Sequence, residues 1–154
     1  MISFEQALNR LANYCSRAER CISDVRRKLE AFEIAKDEQD KIIQRLQQEK
    51  FLDERRYCRA FVNDKSKYAR WGAHKIKYAL KKKQIPDELI RESLENLDPA
   101  ENREQLRRLI EQKRKTVKGK NEFEVRQKLI RFAVGRGFAL EEVESVLFNK
   151  EIIP

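Results

Sequence analysis

The sequence predicts an all-α protein in which one helical unit of about 50 residues is written three times in tandem. One apolar spacing recurs three times along the chain. Val25, Leu29, Ile34, Ile42 and Leu46 are matched by Ile76, Leu80, Ile85, Ile90 and Leu94, and again by Val125, Leu129, Phe138, Val143 and Leu147. The offsets are 51 residues from Val25 to Ile76 and 49 from Ile76 to Val125, so short insertions fall between helices, where loops absorb them. Strand-like alternation is nowhere sustained. Composition agrees, with 40% charged residues, four Gly and three Pro, a balance that favours long polar helices over sheet or disorder.

The first repeat is expected over residues 1–52. It opens on MISFEQALNR, an amphipathic stretch without the apolar core of a secretory signal. Cys21 occupies the position where the next helix starts. It is a poor cap, so this repeat is expected to fray most there. Val25 and Leu29 stand one turn apart and share a buried face. Glu33 ends that helix, and Ile42 and Leu46 repeat the pairing in the next.

The second repeat, 53–98, starts at Asp53, an effective cap. Tyr57 and Phe61 are one turn apart and suit a core stripe, and Trp71 precedes the cap at Gly72 as a hydrophobic staple would. Ile76 and Leu80 form the buried pair, Gln84 the helix end, and Ile90 and Leu94 the last pair. In the third repeat, 99–154, Asp98, Pro99 and Glu101 give a strong start with Pro at N1. Asn121 and Glu124 form a capping-box pattern ahead of Val125 and Leu129. Glu33, Gln84 and Gly137 share one column, and a left-handed helix end there would cost Glu33 and Gln84 about 1 kcal/mol each relative to glycine.

Charge supplies the functional signal. The net charge is +9 and lies in the second and third repeats, because residues 1–52 hold 10 basic and 9 acidic side chains. From Arg55 to Lys83 there are 11 basic residues and one acid, Asp64. Such a block creates a field that attracts polyphosphate or an acidic protein surface. Lys75, Lys77, Lys81 and Lys82 are spaced to lie away from Ile76 and Leu80. Tyr57, Phe61, Tyr68, Trp71 and Tyr78 are interleaved with these cations, an arrangement that serves core packing or base stacking; Tyr68 and Tyr78 fit either.

Little in the sequence points to catalysis. His74 is the only histidine, no GxxxxGK[ST] or GxGxxG pattern occurs, and repeats this small enclose no deep pocket. The carboxylates fall at helix starts or beside cations, with Glu19 expected to pair with Arg26 and Glu124 with Lys128. Cys15, Cys21 and Cys58 are odd in number and lack CxxC spacing, so reduced thiols are expected, with no metal and no cofactor. No apolar run reaches the length of a membrane span, and a soluble cytoplasmic protein is expected.

Three segments resemble one family. FLDERRYCRAFV from Phe51, continuing through RWGAHKIKYALKKKQIPDELIRESL to Leu94, is similar to the central repeat of the RecX regulatory proteins. KLIRFAVGRGFALEEVESVL, Lys128 to Leu147, resembles that family's C-terminal Arg-Gly-Phe element, and SDVRRKL, Ser23 to Leu29, resembles its first repeat. Glu33 and Gln84 depart from it where glycine is usual, and His74 stands where another residue is more common. The resemblance implies an all-α fold of three tandem three-helix repeats in an elongated, curved array that lodges in the groove of the RecA filament on DNA. There they limit its ATPase, strand-exchange and coprotease activities in homologous recombination, DNA repair and the SOS response, without catalytic residues or cofactor.

The expected partner is therefore the RecA filament on single-stranded DNA, with weak direct DNA binding and a monomeric protein. Arg55, Arg56, Arg59, Lys75, Lys77, Lys81, Lys82, Arg126, Arg131 and Arg136 are the candidate RecA- or DNA-binding residues. Phosphates and acidic RecA loops both suit them as counter-charge. A stand-alone nucleic-acid-binding helical repeat is the alternative reading, and a helical scaffold for another complex is a third.

Overall fold

A computed structural model describes residues 1–148. The last six residues of the expected third repeat lie outside the described residues. Among these there are nine helices and no strand: α1 (Phe4–Arg17), α2 (Ile22–Ala31), α3 (Lys36–Gln48), α4 (Glu54–Lys67), α5 (Ala73–Lys82), α6 (Asp87–Glu95), α7 (Pro99–Arg114), α8 (Glu122–Gly135) and α9 (Leu140–Phe148). The protein is all-α.

Local chemistry accounts for the helix starts. Ser3 opens α1 with a reciprocal capping box to Gln6, at 3.2 and 2.9 Å. The Asp53 carboxylate accepts from the Arg56 amide at 3.1 Å, Asp98 from Ala100 at 3.1 Å with Pro99 at N1, and Asn121 from Glu124 at 2.9 Å. Cys21 is a better start for α2 than its type suggests. Its amide donates to Asp24 Oδ2 at 3.3 Å within a capping box, and the Ile22 amide to Glu54 Oε2 at 2.9 Å, so two carboxylates satisfy amides at the helix start. The end expected to fray is thus tied down by Asp24 from within α2 and by Glu54 from α4.

Helix ends follow one pattern. Glu33 (φ 59°), Gln84 (φ 62°) and Gly137 (φ 101°) all enter the left-handed region, as do Lys50 (φ 64°) and Arg70 (φ 57°). Each turn returns an amide to the helix just finished, for example Ile34 to the Leu29 carbonyl at 3.1 Å and Trp71 to that of Lys65 at 2.9 Å. These bonds offset the cost of about 1 kcal/mol that a side chain carries in this conformation.

The described chain forms two compact units. The first contains Met1–Ala60 and Leu80–Ile90, with Leu11, Leu29, Ile42, Leu46 and Leu52 no more than 1% exposed at its centre. Burying each such side chain contributes about 2 kcal/mol. Within it Lys83 Nζ donates to Asp24 Oδ1 at 2.8 Å, and Arg56 Nε to Glu19 Oε2 at 2.6 Å. The expected partner of Glu19 was Arg26, which pairs instead with Asp40 at 2.6 Å. The extended backbone at Ala18 breaks the helix between Glu19 and α1, so helical spacing does not govern where Glu19 points. Lys128 does reach Glu124, at 3.5 Å in α8.

The second unit contains Phe61–Ala79 and the chain from Arg91 onward. Leu106 and Ile110 of α7, Leu129 of α8, Phe138 of the turn that follows it, and Val143 and Leu147 of α9 are buried together. The start of α5 joins this unit through backbone: the Gly72 amide donates to the Arg136 carbonyl at 2.8 Å and the His74 amide to the Gly137 carbonyl at 3.0 Å. All of the repeated apolar positions are buried except Leu94 and Val125, which are half-buried. The three cysteines are buried free thiols, and burial pushes Cys15 up to about 11.

Candidate functional site

The candidate cations divide between the two units. In the first, Arg55 and Arg59 are exposed on α4, and Lys81 and Lys82 are exposed at the end of α5. Arg56 is partly spent: besides Glu19, its Nη2 donates to the Phe51 carbonyl at 3.3 Å. Lys81 lies 3.9 Å from Asp87, a solvated pair worth little.

Within the second unit, Lys77 and Arg131 are exposed. The Lys75 ammonium sits 4.5 Å from the Trp71 ring centroid, and Lys65 lies over the same ring at 4.9 Å. Trp71 also meets Phe61 edge to face, centroids 6.4 Å apart, so it is a half-buried aromatic flanked by cations. Arg126 covers Phe148 at 5.0 Å, and Arg136 covers Phe132 at 5.0 Å. Arg59, Lys77 and Arg131 have no carboxylate at ion-pair distance among the described residues. Their charge is available to a partner.

Other charges cancel at home. On α7, Arg107 bridges Glu104 at 2.7 Å and Glu111 at 2.8 Å, and Arg108 reaches Glu104 at 3.1 Å. Hydrogen bonding from Arg107 holds the Glu104 carboxyl down to about 2. This network of i,i+3 and i,i+4 pairs takes α7's central arginines out of the candidate surface. His74 is exposed, and its described role belongs to its backbone amide. No group of three His, Cys, Asp or Glu among the described residues could hold a metal ion. No described helix is long and apolar enough to cross a membrane.

One grouping was not visible along the chain. Tyr68, Arg70, Leu109, Lys113, Phe132 and Arg136 line an open groove of about 560 Å³ in the second unit. Of these, Arg136 is among the candidate cations and Tyr68 is an aromatic that the sequence leaves open between core packing and base stacking. Lys113 stands outside the basic block and Phe132 outside the repeated apolar positions, so only tertiary packing brings them beside Tyr68.

The profile of the RecX second three-helix domain matches residues 53–94, and that of the RecX third three-helix domain matches residues 101–147. A protein of Actinobacillus pleuropneumoniae serotype 5b named Regulatory protein RecX is 34% identical over 134 residues, covering 86% of this chain and 84% of that protein. One of the same name from Clostridium tetani is 32% identical over 110 residues, covering 70% of this chain; the match spans 50% of that relative's length. The crystal structure of RecX from Lactobacillus salivarius superimposes with a TM-score of 0.88 at 21% identity, covering 97% of both chains, which speaks for the fold.

Proposed function

The chain belongs to the RecX family, and from that premise we propose that it binds the RecA filament on single-stranded DNA and restrains its ATPase, strand exchange and coprotease activities by occupancy. In this reading it is a cytoplasmic, monomeric regulator without catalytic residues or cofactor. Its modules are the three-helix repeats 1–52, 53–98 and 99–154. Its contact residues are Arg55, Arg56, Arg59, Lys75, Lys77, Lys81, Lys82, Arg126, Arg131 and Arg136.

The observation that carries the reading is the uncompensated charge on Arg59, Lys77 and Arg131, exposed cations without a carboxylate partner among the described residues. Exposed charges of one sign gain most from a surface of the opposite sign, here filament phosphates or acidic RecA loops. Many modest contacts along a repeat protein add to useful affinity without any pocket.

The test is RecA ATPase on single-stranded DNA already saturated with RecA, with and without this protein. Dose-dependent inhibition is expected. Unchanged hydrolysis at full occupancy of the DNA by RecA would overturn the reading and leave nucleic-acid binding with no obligatory protein partner. That second reading has its own support in the groove beside Tyr68, where cations and aromatic rings occur together.

A further inference from the structure

We propose that the groove lined by Tyr68, Arg70, Leu109, Lys113, Phe132 and Arg136 docks an unpaired strand of nucleic acid, taking a base against Tyr68 and the flanking phosphates on Arg70, Lys113 and Arg136. The proposal rests on the reading above for its choice of polymer. It joins Tyr68 and Arg136 to Arg70, Leu109, Lys113 and Phe132, which the sequence does not single out.

Tyr68 is 79% exposed at the end of α4. A ring placed there serves no core and offers its face to whatever enters. Leu109, buried, and Phe132, half-buried, give the groove an apolar floor. Three cations surround it. The Lys113 ammonium lies 4.8 Å and the Arg136 guanidinium 5.0 Å from the Phe132 ring centroid, while Arg70 donates to the Gln112 side-chain oxygen at 2.9 Å. An aromatic ring and a neutral amide orient these side chains without neutralising them. No carboxylate lies at ion-pair distance from Arg70, Lys113 or Arg136 among the described residues.

The combination selects the ligand class. An acidic peptide would use the three charges and leave Tyr68 idle, whereas an unpaired nucleotide uses both, through phosphate pairing and base stacking. A duplex hides the faces of its bases. The groove's 560 Å³ lies within the usual range for small-ligand sites and has room for a base with its sugar and phosphate. Arg70 stands in the left-handed turn after α4 (φ 57°), two residues beyond Tyr68, and its guanidinium is held by Gln112.

The experiment is fluorescence anisotropy of a labelled oligothymidine titrated with the whole chain, without RecA. Tyr68→Ala should weaken binding about tenfold, and Tyr68→Phe should retain it, because stacking needs the ring and not the hydroxyl. Arg70→Glu with Lys113→Glu should weaken binding further and flatten its salt dependence. All are exposed or half-buried, and circular dichroism checks folding. Binding unchanged in every variant would overturn the site. Poly-glutamate competing as well as unlabelled oligothymidine would also overturn it, in favour of an acidic peptide. Should wild type fail to inhibit RecA while its oligothymidine binding still depends on Tyr68, the groove stands and only the RecA reading falls. RecA inhibition by a wild type whose DNA binding ignores these residues overturns the groove alone.

Discussion

Gly72 and Gly137 meet backbone to backbone: a Cβ built on Gly72 would collide with the Gly137 carbonyl group and the Phe138 amide nitrogen. The Gly72 amide donates to the carbonyl of Arg136, the residue just before Gly137, which closes the junction. Backbone cannot move aside as a side chain can. Gly72→Ala should therefore destabilise the protein by about 3 kcal/mol, read as a lower urea midpoint. Gly135→Ala is the control. Nothing lies within 4 Å of its would-be Cβ and it sits within α8, so it should stabilise by up to about 1 kcal/mol.

That junction marks the limit of what the sequence makes legible. Gly72 reads as a helix start and Gly137 as a helix end, and both are, because caps and apolar spacing are local properties. Their meeting depends on tertiary packing, which no spacing encodes. The same division holds for the candidate surface. Exposure of Lys77, Lys81 and Lys82 follows from their offset from Ile76 and Leu80, whereas Arg56 is drawn to Glu19 and Lys113 to Phe132 by contacts far apart in sequence. Cys21 shows the converse error: judged alone it is a weak cap, yet Asp24 and Glu54 complete it.

Asp24 and Lys83 yield a pH-dependent prediction. Burial raises the Asp24 pKa, but hydrogen bonds from Lys83 and the Cys21 amide outweigh it and hold the carboxyl below its ordinary 3.8. A carboxyl depressed in the folded state contributes stability above its unfolded pKa and loses it as pH falls through the folded one. Asp24→Asn should cost about 2 kcal/mol at pH 7, and the gap to wild type should close as pH is taken below 3.8. A gap independent of pH would show that shape, not charge, is what Asp24 supplies.

Glu54 should behave in the opposite way. Burial raises its pKa above the ordinary 4.5, against the lowering effect of the Ile22 amide. A carboxyl raised in the folded state is most favourable below its unfolded pKa, and that contribution is lost as pH rises through the folded value. At neutral pH the ionised form is the costly one. Glu54→Gln keeps an oxygen for the Ile22 amide and removes the charge, so its thermal midpoint at pH 7 should match or exceed that of wild type. A lower midpoint would mean that the N-terminus of α2 needs the full negative charge.

The last prediction separates the exposed lysines of α5 from the groove near Tyr68. Lys77, Lys81 and Lys82 are exposed, while Ile76 and Leu80 on the same helix are fully buried, so reversing all three lysines to Glu leaves the buried stripe intact. The Lys81 pairing that is lost, with Asp87 at 3.9 Å and both side chains at least half exposed, is a solvated one and costs little. Folding should survive. If these lysines face the filament, attraction becomes repulsion and inhibition of RecA ATPase should fall at least several-fold. Surface charge is screened within about 8–10 Å at physiological salt, so wild-type inhibition should also weaken across a salt series. Oligothymidine binding measured in parallel tells the two surfaces apart: contact with bare DNA carries a counterion-release slope, which an acidic protein loop need not reproduce. Inhibition by the triple variant equal to wild type would remove α5 from the docking surface and move that role to Arg126, Arg131 and Arg136.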